Sequence, residues 1–194
     1  MGDFDTAYKL TKEGNEGGYD NHPSDTGGET IDGVSRNNFP KWLGWAMVDA
    51  EKAKGGDFYA RLKLNTEFQA LVKAWYKAEF WDKMRLDDMK YQLLANELFD
   101  TGVNMNWIRA AEFLQISLNA FNKQGKDYPD IAEDGHIGAG TLSALEAYMA
   151  KRNDLPTLLK ALNCLQGAKY IDLSRGRAAN EDFAYGWIRN RVSL

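Results

Sequence analysis

Glu16, Asp25 and Thr30 are the residues of this chain whose types and spacing fit the breaking of a glycosidic bond. They share one polar run, Glu16-Gly17-Gly18-Tyr19-Asp20-Asn21-His22-Pro23-Ser24-Asp25-Thr26-Gly27-Gly28-Glu29-Thr30. Such a cleavage needs a proton donor at the leaving oxygen and a second group that stabilises the cationic sugar or activates water. Glu16 is the donor candidate, because it falls where a helix-like segment gives way to glycines. Partial burial against Tyr19 or another ring would raise its pKa and keep it protonated near neutral pH. Asp25 would act as base or electrostatic stabiliser, and the Thr30 hydroxyl would hold a water. Gly17, Gly18, Gly27 and Gly28 permit the tight turns that bring such groups together.

Two other readings of the run compete with this one. It fits a solvated surface loop whose glycines serve only turns. Acid-and-glycine loops also bind calcium, and Asp20, Asn21, Asp25 and Asp32 are the available ligands, although the EF-hand spacing is absent. His22 has no second histidine or cysteine close by in sequence, so a zinc site is not indicated, and a hydrogen-bonded loop residue is expected. The same holds for His136. Cys164, the one cysteine of the chain, sits in an apolar helix-like run and is expected to be a buried, inert thiol.

The elements that must position these groups are mostly helices. Apolar spacing predicts a short helix from Phe4 to Lys12, stopped near Gly14. Turns and a short hairpin are expected across residues 15–36. Helical patterns follow around Trp42–Val48, ending at Gly55-Gly56, and then over 66–80, 88–103, 110–121 and 141–151. Gly102 is expected to weaken the end of its helix, and Thr141 or Gly140 to cap the next one. Asp154-Leu155-Pro156 reads as a cap followed by proline in the first turn of a long helix. Phe183, Trp187 and Ile188 continue the helical signal. Of the dense aromatics Trp42, Trp45, Trp75, Tyr76, Phe80 and Trp81, most are expected in the core and one or two beside a cleft.

The chain has 194 residues, is 44% hydrophobic and carries a net charge of −4. That composition excludes a disordered protein and argues against nucleic acid as a partner. The N-terminal residues lack the pattern of a secretory signal and no run is long enough for a membrane span. The expectation is a soluble chain made in the cytoplasm that meets any outside substrate after release or export. Lys12, Arg36 and Lys41 lie near the polar run and can make a locally cationic cleft on an acidic chain.

These residues also carry a family likeness. Glu16-Gly17-Gly18-Tyr19, then Pro23-x-Asp25-x-Gly27-Gly28-Glu29-Thr30-x-x-Gly33-Val34, resembles glycoside hydrolase family 108, as do 36–45 and 98–105. Asp134-Gly135-x-Ile137-Gly138-x-x-Thr141-Leu142, with Leu114-Gln115, is similar to the predicted peptidoglycan-binding region that accompanies that family. The resemblance implies a mainly α, lysozyme-like fold with a small irregular or β-hairpin region after the first helix. It implies a catalytic region over 1–90 and a helical binding region over 91–194, packed as one unit. The family comprises N-acetylmuramidases, found in phage endolysins and in bacterial secretion activator proteins.

The resemblance makes Glu16 the catalytic acid and, by analogy with phage-type lysozymes, gives Asp25 and Thr30 the remaining roles. Tyr19, His22 and Asn104 are the expected substrate contacts. No cofactor or metal is implied. The implied partners are the glycan strand of peptidoglycan and a holin or export machinery. A non-catalytic peptidoglycan-binding or secretion-assisting module is the alternative. The chain departs from the family pattern at Asp20-Asn21-His22, at Asp32, where a larger residue is common, and at Ala139, where a proline is frequent.

Overall fold

The computed structural model describes residues 1–13, 17–21 and 28–192, and the chain is mainly helical. Its residues divide into two compact units, 8–79 and 1–7 with 80–194. Helix α1 (Phe4–Glu13) contributes its first turn to the second of these and the rest to the first.

In the unit 8–79, a three-stranded antiparallel meander follows α1. Strand β1 (Tyr19–Asp20) pairs with β2 (Thr30–Ile31), and β2 with β3 (Val34–Ser35). The pairs are Tyr19 with Ile31, Asp20 with Thr30, Thr30 with Ser35 and Ile31 with Val34. Only Asp32 and Gly33 separate β2 from β3, at φ +47° and +84°, the two-residue turn that matches strand twist and requires left-handed backbone at both positions. A side chain on Gly33 would run into the Tyr76 hydroxyl, which donates a 3.1 Å hydrogen bond to the Asp32 carbonyl. The hairpin is thus pinned by a helix that begins over thirty residues later.

Three helices complete this unit: α2 (Gly44–Ala53), α3 (Phe58–Leu64) and α4 (Thr66–Tyr76), which runs on into a π-turn at Lys77–Trp81. Helix α3 carries only a short apolar pattern and was not expected from periodicity. Its local signal is Asp57, whose side chain accepts from the Ala60 amide in the first turn. Asn65 ends α3 and caps α4, accepting from the Phe68 amide at 3.0 Å. Ile31, Val34, Trp45, Val48, Leu62, Phe68, Val72, Trp75 and Tyr76 are buried here. Their rings meet edge to face, as in Phe39–Trp75 at 5.0 Å and Trp75–Tyr76 at 4.9 Å, the arrangement favoured by aromatic quadrupoles.

The other unit holds α5 (Gln92–Met105), α6 (Trp107–Ala120), α7 (Ala139–Arg152), α8 (Leu155–Gly176) and α9 (Glu181–Arg191). Phe4, Trp81 and Phe99 form a mutual edge-to-face triad at 5.5–5.8 Å. Asn106, at φ +87°, closes α5 with its backbone N–H on the Gly102 carbonyl and caps α6 with its side chain. Asp154 caps α8 as expected, accepting from the Thr157 amide. Four of the six dense aromatics, Trp45, Trp75, Tyr76 and Trp81, are buried, in line with the core expectation.

Helix α5 runs through Gly102 to Met105, and an added Cβ at Gly102 would lie 2.7 Å from Met84 Cε, so the glycine makes room for packing. Two expectations are corrected. The cap of α7 is Gly138, while Thr141 is buried within the first turn, its hydroxyl taken by Gln115. Cys164 is exposed. On α8 the buried positions are Leu158, Leu162, Asn163, Gln166 and Tyr170, and Cys164 falls off that face by one residue, about 100° of helical turn.

Candidate functional site

The cleft of the unit 8–79 is built on the two glycines that follow Glu16. It measures about 560 Å³ and is lined by Lys12 of α1, Gly17, Gly18, Asp32 of the hairpin turn, Tyr59 and Lys63 of α3, and Gln69 of α4. Tyr59 and Lys63 are four apart and so share one helix face.

The Asp32 carboxylate is the hub. Its Oδ1 accepts from the Tyr59 hydroxyl at 3.0 Å, Lys12 Nζ at 3.3 Å and the Gly18 amide at 3.4 Å. Its Oδ2 accepts from Gln69 Nε2 at 3.5 Å, and its own amide donates to the Gly18 carbonyl at 2.7 Å. Burial, followed by the charge of Asp32, pushes the Tyr59 phenol up to about 12. The same two causes raise Tyr8 to about 12. Both phenols therefore stay neutral donors at any ordinary pH. Lys63 lies over the Tyr59 ring and, among the described residues, makes no ion pair.

Gly17 is needed for close approach. Its φ is +136°, and a Cβ built there would lie 2.8 Å from Asp32 Oδ1 and 3.0 Å from Lys12 Nζ. Only a glycine lets this backbone sit against the ion pair.

The residues expected from sequence fall in three places. Glu16, His22 and Asp25 lie outside the described residues. Tyr19 and Thr30 lie on adjacent strands but on opposite faces of the sheet, since Tyr19 pairs with Ile31 and Thr30 with Asp20. The Tyr19 hydroxyl donates to Glu29 Oε1 at 3.2 Å and accepts from Lys52 Nζ at 3.3 Å, and its ring packs edge-on to Phe58 at 4.7 Å. The Thr30 hydroxyl donates to the Gly28 carbonyl at 3.1 Å. Asn104 belongs to the other unit, where its amide donates to the Asp100 carbonyl at 2.7 Å.

Of the three cations expected near the run, Lys12 lines the cleft. Arg36 instead bridges Glu29 at 2.7 Å and Asp49 at 2.6 Å while stacking on Trp45 at 4.1 Å. Lys41 is exposed and is not among the lining residues. Burial alone would raise the Glu29 carboxyl, but the hydrogen bond from Lys52 and the charge of Arg36 outweigh it and hold it below the usual carboxylate range. That network braces β1, β2 and α2 against one another. Tyr59, Lys63 and Gln69 were not singled out from sequence, and Asp32 figured there only as an available calcium ligand and as a departure from the family pattern. A further local hint was the Asp-Gly pair at 32–33.

In comparison with known proteins, residues 12–105 match the family Glycosyl hydrolase 108, and residues 109–192 match the family Predicted Peptidoglycan domain. No curated protein matches the chain. Among solved structures, that of Brucella abortus SagA is similar, with 24% identity and a TM-score of 0.57 over 97% of this chain and 91% of that one. At that identity the likeness speaks to the fold. The two matched regions lie in the order read from the motifs and tie the chain to peptidoglycan.

Proposed function

We propose, from the match of residues 12–105 to the family Glycosyl hydrolase 108, that this chain is an N-acetylmuramidase. It cleaves the β-1,4 bond between N-acetylmuramic acid and N-acetylglucosamine in peptidoglycan. The observation that carries this reading is the polar cleft at Gly17 and Gly18, directly after the Glu16 of the family motif, within the matched region. Glu16 gives its proton to the glycosidic oxygen as the bond to the anomeric carbon breaks, and water adds to that carbon. Asp25 stabilises the positive charge that develops or takes the water's proton.

The contact made by Thr30 supports its part. A hydroxyl has one donor and two acceptor sites, and its donor is spent on the Gly28 carbonyl. Thr30 therefore accepts from a water O–H, leaving that water's lone pair free to attack. Tyr19, His22 and Asn104 are the proposed sugar contacts; for Tyr19 and Asn104 this requires exchange or sharing of the hydrogen bonds they now make.

The region 109–192 supports a second reading, a module that binds peptidoglycan or assists secretion without cutting. Both readings place the chain at the wall after release or export, with a holin or export machinery as partner. Among the described residues no helix is long and apolar enough to cross a membrane. One experiment separates them. Purified chain is incubated with peptidoglycan, and new reducing ends and sedimentation with the wall are both measured. The muramidase reading expects new ends from the native chain and a loss of about 10²–10⁴-fold in Glu16→Gln at unchanged thermal midpoint. A folded Glu16→Gln with native activity would overturn the acid assignment; sedimentation without new ends would favour the binding module.

A further inference from the structure

Gln115 of α6 is buried, and its side chain is spent on the segment that leads into α7. Its Nε2 donates to Asp134 Oδ1 at 2.9 Å, the His136 carbonyl at 3.1 Å and Thr141 Oγ1 at 3.3 Å. Its Oε1 accepts from the Gly135 amide at 2.9 Å. Gly135, at φ +72°, lies so close to α6 that an added Cβ would stand 2.4 Å from Ile108 Cγ2. The loop is therefore held rigidly, and holding it uses one carboxylate oxygen of Asp134, which also takes the His136 amide at 2.9 Å. The other Asp134 oxygen and the ring nitrogens of His136 make no hydrogen bond among the described residues. Both side chains are exposed, and both line a cavity of about 260 Å³ with Gln115, Gly138, Gly140 and Thr141. The Trp107 ring backs the His136 imidazole at 5.5 Å.

We propose that this cavity binds an N-acetylglucosamine unit of the glycan strand, with Asp134 and His136 taking the sugar's hydroxyl and acetamido N–H groups. The proposal rests on the peptidoglycan reading of residues 109–192. The His136 backbone amide, then the Gln115 amide, hold the Asp134 carboxyl below the usual carboxylate range, so it is an anion at neutral pH. A carboxylate accepts O–H and N–H donors in charge-assisted bonds, about twice as strong as neutral ones. It repels the carboxylates of a peptide stem, and among the lining residues no lysine or arginine offsets it. The start of α7 favours negative charge, but Asp134 already supplies it there, since it shares the Gln115 amide with Thr141 of the first turn. N-acetylglucosamine is the sugar of the strand that carries no peptide, and it is neutral and rich in donors. Ligand clefts start at roughly 300 Å³, so a cavity of about 260 Å³ suits one ring rather than a longer segment. An added Cβ at Gly138 or Gly140 would meet nothing within 4 Å among the described residues, so the rim is open for the strand to run on.

The test titrates the full chain with the N-acetylglucosamine trimer and follows backbone amides by NMR, alongside sedimentation with whole peptidoglycan. The trimer should shift the Gly135, His136, Gly138 and Gly140 amides to saturation. Asp134→Asn keeps Oδ1 for the Gln115 and His136 amides and turns the other oxygen into a donor. It should weaken the trimer at these positions about tenfold at an unchanged thermal midpoint. His136→Ala should weaken it too, which keeps the idea testable if Asp134→Asn fails to fold. Trimer shifts confined to Gly17 and Gly18 would overturn the proposal, as would native affinity in both variants. So would saturation of the 135–140 amides by a stem peptide with a free amine and not by the trimer. A native chain that leaves peptidoglycan unsedimented, yet takes the trimer at 135–140, would sink the wall-binding reading and leave the sugar site standing.

Discussion

Replacing Gly17 by alanine, with Gly18→Ala as its partner, measures how tightly the cleft grips its glycines. Both positions have backbone angles that L-residues resist, at φ +136° and +123°. That strain costs about 1–3 kcal/mol in either variant. The surroundings differ. A Cβ at Gly17 meets Asp32 Oδ1 at 2.8 Å and Lys12 Nζ at 3.0 Å, whereas among the described residues nothing lies within 4 Å of one at Gly18. Overpacking of that kind adds roughly 1–3 kcal/mol. Gly17→Ala should therefore be the worse variant by about 1–3 kcal/mol, or some 2–12 °C in thermal midpoint for a chain of this size. Circular dichroism melts of the two variants give the comparison directly. The excess should shrink in an Asp32→Ala background, because the nearer of the two obstructing atoms is gone and Lys12 Nζ is released from its ion pair. Equal midpoints for the two glycine variants, or an excess undiminished by removal of the Asp32 side chain, would refute the reasoning.

Other outcomes follow from single contacts. Burial, reinforced by the charge of Asp100, raises the Glu97 carboxyl to about 7 from an ordinary 4.5. A group whose folded pKa is raised holds its proton more tightly when folded, so stability should fall as pH rises from about 4.5 to 7, by no more than about 3 kcal/mol. Urea unfolding across that range should show the slope, and Glu97→Gln should flatten it; an unchanged slope in the variant would place the cause elsewhere. Asn65→Ala removes the cap of α4 and should cost about 1 kcal/mol in the same assay. Because Asn65 joins the helices that bring Tyr59 and Gln69 to Asp32, the proposed cleavage of peptidoglycan should weaken with it. A variant as stable as the native chain would show that tertiary packing, not the cap, sets this junction.

Much of the fold was legible residue by residue. The helices α1, α4, α5, α6 and α8 follow from apolar spacing near 3.6, the α8 start from Asp154-Leu155-Pro156, and the hairpin region from the glycines and acids after Glu16. Those signals lie between neighbours a few positions apart, so the chain itself contains them. The family motifs likewise sit in contiguous runs, which is why the glycosyl hydrolase and peptidoglycan regions could be read in order. Helix α3 escaped notice because seven residues hold too few apolar repeats to stand out. Cys164 escaped because its exposure depends on which face of α8 finds a partner, and helical propensity is silent on that.

The role of Asp32 could not have been read at all. Its donors lie 14, 20, 27 and 37 positions away in the chain, on a glycine loop and three different helices. Local sequence set the turn that points Asp32 out of the sheet. Only the packing of α1, α3 and α4 around that turn decided that its carboxylate would be buried, paired and set beside the residues that follow Glu16. Convergence of that kind is a property of chain closure and core packing, and it has no signature in any short window of residues.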